Sequence, residues 1–214
     1  PLATLQGYIE TLLLKDDSLS DEDRKHYLGI AIKHCEHLNN LVDRLLELAK
    51  LESPSMNVNR EPFHLGELVQ DVIQGFQLKI EEKGIRLEDR STGINALVQA
   101  DISLIERVLV NLFENAVTYT PQEGQISVRL FESPGDISFQ INNSGPPIPE
   151  EELDKLFNRF YQLDKSRKFR SGHSGLGLAI TKRILELHDR TIHVRSTETE
   201  GTTFGFNLPV SNPE

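Results

Sequence analysis

NLFENAVTYTP, Asn111 to Pro121, is the stretch on which the fold turns. It ends an apolar helical pattern that begins at Ile102 and runs to about Val117. Asn111 and Asn115 are one helical turn apart on one face, so both amides can point into a single site. Glu114, one residue before Asn115, points about 100° around the helix from it and is expected at the surface or at a hinge.

Outward from this helix, elements alternate in type. Two alternating strands follow, Gln125 to Phe131 and Asp136 to Ile141, joined by a turn at Ser133-Pro134-Gly135. A helix from Leu176 to His188 and strands Thr191 to Ser196 and Thr203 to Leu208 close the pattern. Upstream lie a helix from Leu65 to Glu82 and short strands at Ile85 to Glu88 and Leu97 to Gln99. Hairpin-paired strands with intervening helices predict a mixed sheet covered by helices on one face. Between Ser144 and Ser174 the chain is irregular for roughly thirty residues, with a basic run at Lys165, Arg167, Lys168 and Arg170. A loop of that length in a compact domain is usually functional or disordered.

Before Ser53 the pattern changes. Leu28, Ala31, Cys35, Leu38, Val42, Leu45 and Ala49 alternate by three and four residues, a coiled-coil-like seam. Ser20 with Asp23 makes an approximate capping box that starts this helix near Asp21. Leu2, Leu5, Ile9 and Leu12 repeat the spacing in a shorter arm, and Lys15 to Ser20 join two antiparallel helices. Unequal arms imply that the first helix continues upstream of Pro1, and two arms make a poor core alone, which favours a four-helix bundle formed by a dimer. The expected fold is α+β: a hairpin over residues 1–52, a linker over 53–60, an α/β sandwich over 61–210 and a tail over 211–214.

Composition narrows the function. The 214 residues carry a formal net charge of −10, which repels nucleic acid and anionic membranes, and no apolar run reaches a membrane span. The single cysteine, Cys35, excludes an intramolecular disulfide.

Five ordered motifs resemble those of the sensor histidine kinases of bacterial two-component systems. NLFENAVTYTP resembles the asparagine box; INNSGPPIP, Ile141 to Pro149, the first glycine box; LFNRFY, Leu156 to Tyr161, the phenylalanine box. GHSGLGLAI, Gly172 to Ile180, resembles the second glycine box and GTTFGF, Gly201 to Phe206, the last. The start PLATLQGYIETL resembles the tail of the histidine box, whose phospho-accepting His would lie five residues before Pro1.

The resemblance implies a Bergerat-type ATP-binding fold with ATP and Mg as cofactors. Asn115 would ligate the metal, a hard ion that takes amide and phosphate oxygens, and Asn111 would have a positioning role. Asn143 would select adenine: an amide can accept the amino proton and also donate to the neighbouring ring nitrogen, where most members use Asp. Tyr119, Ile148 and Thr203 match positions beside the base, and Gly145 would also bind the nucleotide; Gly172, Gly175, Leu176 and Gly177 would bring backbone amides and a helix start to the phosphates; Lys165 and Arg167 would screen them. Phe157 and Phe160 would anchor this segment to the core. Pro147, Thr118 and Asp189-Arg190 depart from the usual pattern.

The implied function is a cytoplasmic kinase core whose parent is anchored in the inner membrane. It would pass the terminal phosphoryl to a His and then to an Asp on a response-regulator receiver domain, and would dimerise through residues 1–52, with no nucleic acid partner and no membrane contact of its own. The alternative is a kinase-like scaffold, or a phosphatase-dominant module, with weakened ATP binding.

Overall fold

In the computed structural model, which describes residues 2–14, 19–93, 97–163 and 174–211, helices α1 (Leu2–Leu14) and α2 (Asp21–Leu51) form the hairpin. Ser20 caps α2: its hydroxyl accepts from the Asp23 backbone N–H at 3.0 Å and donates to the Asp23 carboxylate at 2.6 Å. The short acid bonds the cap's hydroxyl, whereas the Glu of a full capping box would reach its backbone. Tyr8 meets Tyr27 and His34 across the hairpin, with ring centroids 5.9 and 6.0 Å apart. Much of the seam is left uncovered; Val42 and Leu45 are 52% and 47% exposed.

The second unit begins with β1 (Glu61–His64), which pairs antiparallel with β3 (Leu97–Ala100) in a small separate sheet. Helix α3 (Leu65–Glu82) and β2 (Arg86–Arg90) lie between them in sequence, and α4 (Ile102–Tyr119) follows. The main sheet has five strands in the order β2, β4 (Gln125–Ser133), β5 (Asp136–Asn143), β7 (Gly201–Pro209), β6 (His193–Thr197). It is mixed: β2 runs parallel to β4 and the remaining pairs are antiparallel. Alternate residues of β5, Ile137, Phe139 and Ile141, are buried beneath α3, α4 and α6 (Gly177–Leu187), whose apolar faces complete the core. At roughly 25 cal/mol per Å² of apolar surface, this layer supplies most of the driving force.

Two pieces depart from the sequence expectation. Strand β1 is four residues with a proline, too short and too broken to read as a strand. The stretch between Ser144 and Ser174 is not wholly irregular: it contains α5 (Glu150–Leu153) and a 3-10 turn (Asp154–Phe157), each too short to show a period.

Helix α2 does not end free of this core. Leu48 and Leu51 are buried within the same apolar cluster as the α/β unit. Around them, Arg107 on α4 forks onto Glu47 at 2.8 and 2.7 Å, Arg44 meets Glu114 at 2.8 Å, and Arg183 Nε donates to the Leu51 carbonyl at 3.1 Å. Arg159 pairs with Glu52. The following segment is tethered too, with the Asn59 N–H on the Asp101 carboxylate at 3.0 Å and Arg60 on Asp189 at 2.7 Å. No described helix is long and apolar enough to cross a membrane.

Candidate functional site

A cavity of about 270 Å³ opens between α4, the ends of β5 and β7, and the start of α6. Its walls include Asn111, Asn115, Tyr119, Asn143, Ile148, Gly175 and Gly177. Thus α4 brings its two amides to one wall, as their spacing of one turn requires.

Asn111 is only 1% exposed. Its amide nitrogen reaches the Gly177 carbonyl at 3.3 Å and the Thr181 hydroxyl at 3.5 Å, long contacts that tie α4 to the first turn of α6. Its amide oxygen, and the amide nitrogen of Asn115, are buried without any hydrogen-bond partner. Buried polar atoms are nearly always paired, so two unpartnered amide atoms on residues that line one cavity mark a place that a polar ligand can complete.

At the other wall Asn143 closes β5 with its amide set by two backbone groups. Its nitrogen donates to the Thr202 carbonyl at 3.3 Å and its oxygen accepts from the Gly145 N–H at 3.1 Å. An amide nitrogen has two hydrogens and its oxygen two lone pairs, so one donor and one acceptor remain for a ligand edge. Gly145 has no alternative here: a Cβ would sit 2.6 Å from the Asn143 amide and 2.7 Å from the Tyr119 carbonyl. Gly175 has φ +70 and a Cβ there would lie 2.8 Å from the Phe160 backbone, so only glycine lets the chain turn into α6.

Residues 100–212 match the family described as "Histidine kinase-, DNA gyrase B-, and HSP90-like ATPase", and residues 1–54 match "His Kinase A (phospho-acceptor) domain". The chain belongs to the sensor histidine kinases. It is 32% identical to the sensor histidine kinase WalK of Bacillus subtilis over 98% of its own length and 34% of that protein. It is 31% identical to the circadian input-output histidine kinase CikA of Synechococcus elongatus, over 98% of this chain and 28% of that one. The chain thus spans about a third or less of these curated relatives. Among solved structures, the complex of histidine kinase ThkA with response regulator protein TrrA superposes with a TM-score of 0.80 and 28% identity, covering 99% of this chain and 58% of that one.

In this member of the family, several expectations about the site change. Thr203 faces the opposite side of the sheet, where its hydroxyl accepts from Asn142 at 2.9 Å; Thr202, directly across from Asn143, lines the cavity instead. Strand residues alternate faces, and Thr202 shares the parity of buried Phe204, Phe206 and Leu208, the signal that could have identified it. Glu114 lines the cavity as well, because Arg44 from α2 draws it there. Phe160 is 55% exposed with φ +62 and holds Gly175 by its backbone N–H at 2.9 Å, while Leu156, Phe157 and Tyr161 pack against the core.

Leu176 precedes α6 fully buried in the core, its N–H donating to the Ser174 hydroxyl at 3.3 Å and its carbonyl accepting from the Ile180 N–H at 2.9 Å, so, contrary to expectation, it does not line the cavity. Gly177 begins the helix, whose N-terminal amides favour an anion. Lys165, Arg167 and Gly172 lie outside the described residues. Sequence reasoning missed Thr202 and Arg44, the latter because its approach depends on how two units pack.

Proposed function

We propose that this chain is the ATP-binding and phosphotransfer core of a sensor histidine kinase, holding MgATP in the cavity between α4, β5, β7 and α6. The observation that carries the reading is the pair of unpartnered amide atoms on Asn111 and Asn115, two residues that line one cavity beside a helix start. Asn143 would receive adenine through its remaining donor and acceptor, with Tyr119 and Ile148 at the ring. The phosphates would lie toward Gly175, Gly177 and the start of α6.

The donor set suits Mg. A hard ion accepts an amide oxygen, keeps waters and shares phosphate oxygens, so Asn115 would be its protein ligand. When bound, the metal neutralises phosphate charge. The chain's residues do the rest by orientation. Asn111 is an amide and takes no proton from water at neutral pH, and the Glu114 carboxylate at the cavity is paired with Arg44, so hydrolysis would be slow and the terminal phosphoryl kept for a docked imidazole. From that His it would pass to an Asp on a receiver domain, in the cytoplasm where ATP is supplied.

The hairpin would dimerise. Leu28, Val42 and Leu45 form an exposed apolar line on α2, which a second copy would cover in a four-helix bundle. Calorimetric titration with ATP, with and without Mg, tests the core of the reading. Saturable, Mg-dependent binding is expected; a flat titration in both conditions leaves a kinase-like scaffold in its place.

A further inference from the structure

Arg44 belongs to the hairpin, yet it is the only lysine or arginine among the described residues lining the nucleotide cavity. Its side chain is 19% exposed, and one nitrogen meets the Glu114 carboxylate at 2.8 Å. Its other terminal nitrogen lies 3.2 Å from where a Cβ on Gly177 would sit, and the same point is 3.5 Å from the unpartnered oxygen of Asn111. The guanidinium therefore stands at the first turn of α6, beside the orphaned amide. Arginine has five donors in a rigid fork, and one bond to Glu114 leaves most of them free for an anion.

We propose that Arg44 of α2 is a phosphate-binding residue of the nucleotide site, so that the hairpin supplies a cation to the ATP cavity of the α/β unit. The inference rests on the MgATP reading above and extends it to a residue outside the matched ATPase region. A polyphosphate entering a chain of net charge −10 needs local positive charge, and Thr118 on α4 brings none. Glu114 holds the guanidinium at the cavity mouth until the nucleotide offers a better acceptor. Linkage follows: if α2 docking raises nucleotide affinity, nucleotide raises docking by the same factor.

The test compares wild type, R44A, R44K and E114Q in the full chain, titrated with MgATP, MgADP and adenosine. R44A should weaken MgATP on the order of tenfold or more, the worth of a hydrogen bond to a charged group, while adenosine binds as before. R44K should recover part of the loss, since a point charge replaces the fork. E114Q should tighten MgATP, because it frees Arg44 and removes a negative charge from the site. MgATP affinity in R44A equal to wild type overturns the inference, and so does E114Q weakening MgATP as much as R44A, which would make the ion pair a packing element. Should wild type itself bind no MgATP, the nucleotide reading falls first and Arg44 with it; the comparison between variants keeps the two failures apart.

Discussion

Asn143 on β5 stands directly opposite Thr202 on β7, and its amide nitrogen donates to the Thr202 carbonyl. The bond fixes which way the amide faces and leaves one hydrogen and one lone pair uncommitted on a residue that lines the cavity. Asn143→Ala should therefore weaken adenosine, ADP and ATP alike, by about 1–3 kcal/mol, in competition against a fluorescent nucleotide. A loss confined to ATP would move Asn143 from the base to the phosphates. Equal affinities would remove it from the site.

Asn115 occupies a different place and should give a different signature. Asn115→Ala keeps a good helix former in α4 and removes an amide whose nitrogen has no partner, so melting should change little. What should disappear is the gain in ATP affinity on adding Mg, while adenosine binding persists. Calorimetry that returns the same Mg dependence for both proteins sinks the metal assignment.

The hairpin makes a prediction about mass. Val42 and Leu45 are each about half exposed in one chain, so Val42→Lys with Leu45→Lys can carry both charges to solvent in a monomer. In a bundle the same positions would bury unpaired charge, which is strongly unfavourable. Light scattering should report a dimer for the parent and a monomer for the double variant. A dimer that survives both lysines places the interface elsewhere.

What the sequence made legible was what short-range periodicity carries. The α4 amides, the α2 seam and the helices and strands of the sheet follow from spacing within a dozen residues, and the structure shows them at their expected ranges to within a few positions. Thr203 was assigned from a motif's order, but the face a residue takes depends on strand parity, which Asn143 opposite Thr202 fixes only once β5 and β7 are paired. Arg44 and Glu114 were unreadable for a deeper reason. Their contact spans 70 positions and exists because Leu48 and Leu51 insert in the α/β core, a tertiary choice that no local pattern encodes.

His188 ties the end of α6 to the start of α4, the helix that presents Asn111 and Asn115. Its Nδ1 donates to the Ile184 carbonyl at 2.8 Å and its Nε2 accepts from the Asp101 backbone N–H at 3.0 Å, so the ring is neutral in the fold. Burial holds its pKa below the ordinary 6.5; the Ile184 bond raises it, Arg60 lowers it further, and Asp101 and Asp189 pull the other way. Because the folded value is depressed, the unfolded chain takes up a proton first as pH falls. The stabilisation is then complete above about pH 6.5 and is lost as pH drops toward the folded pKa. His188→Ala should destabilise the protein in urea by about 1–3 kcal/mol at pH 7.5, since it strands the Asp101 N–H and the Ile184 carbonyl. The gap between wild type and variant should narrow at pH 5.5, when the unfolded wild-type ring is charged and the alanine has nothing to protonate. A gap that stays constant or widens on acidification would mean that the buried ring is protonated in the fold, contrary to the hydrogen bond it accepts from Asp101.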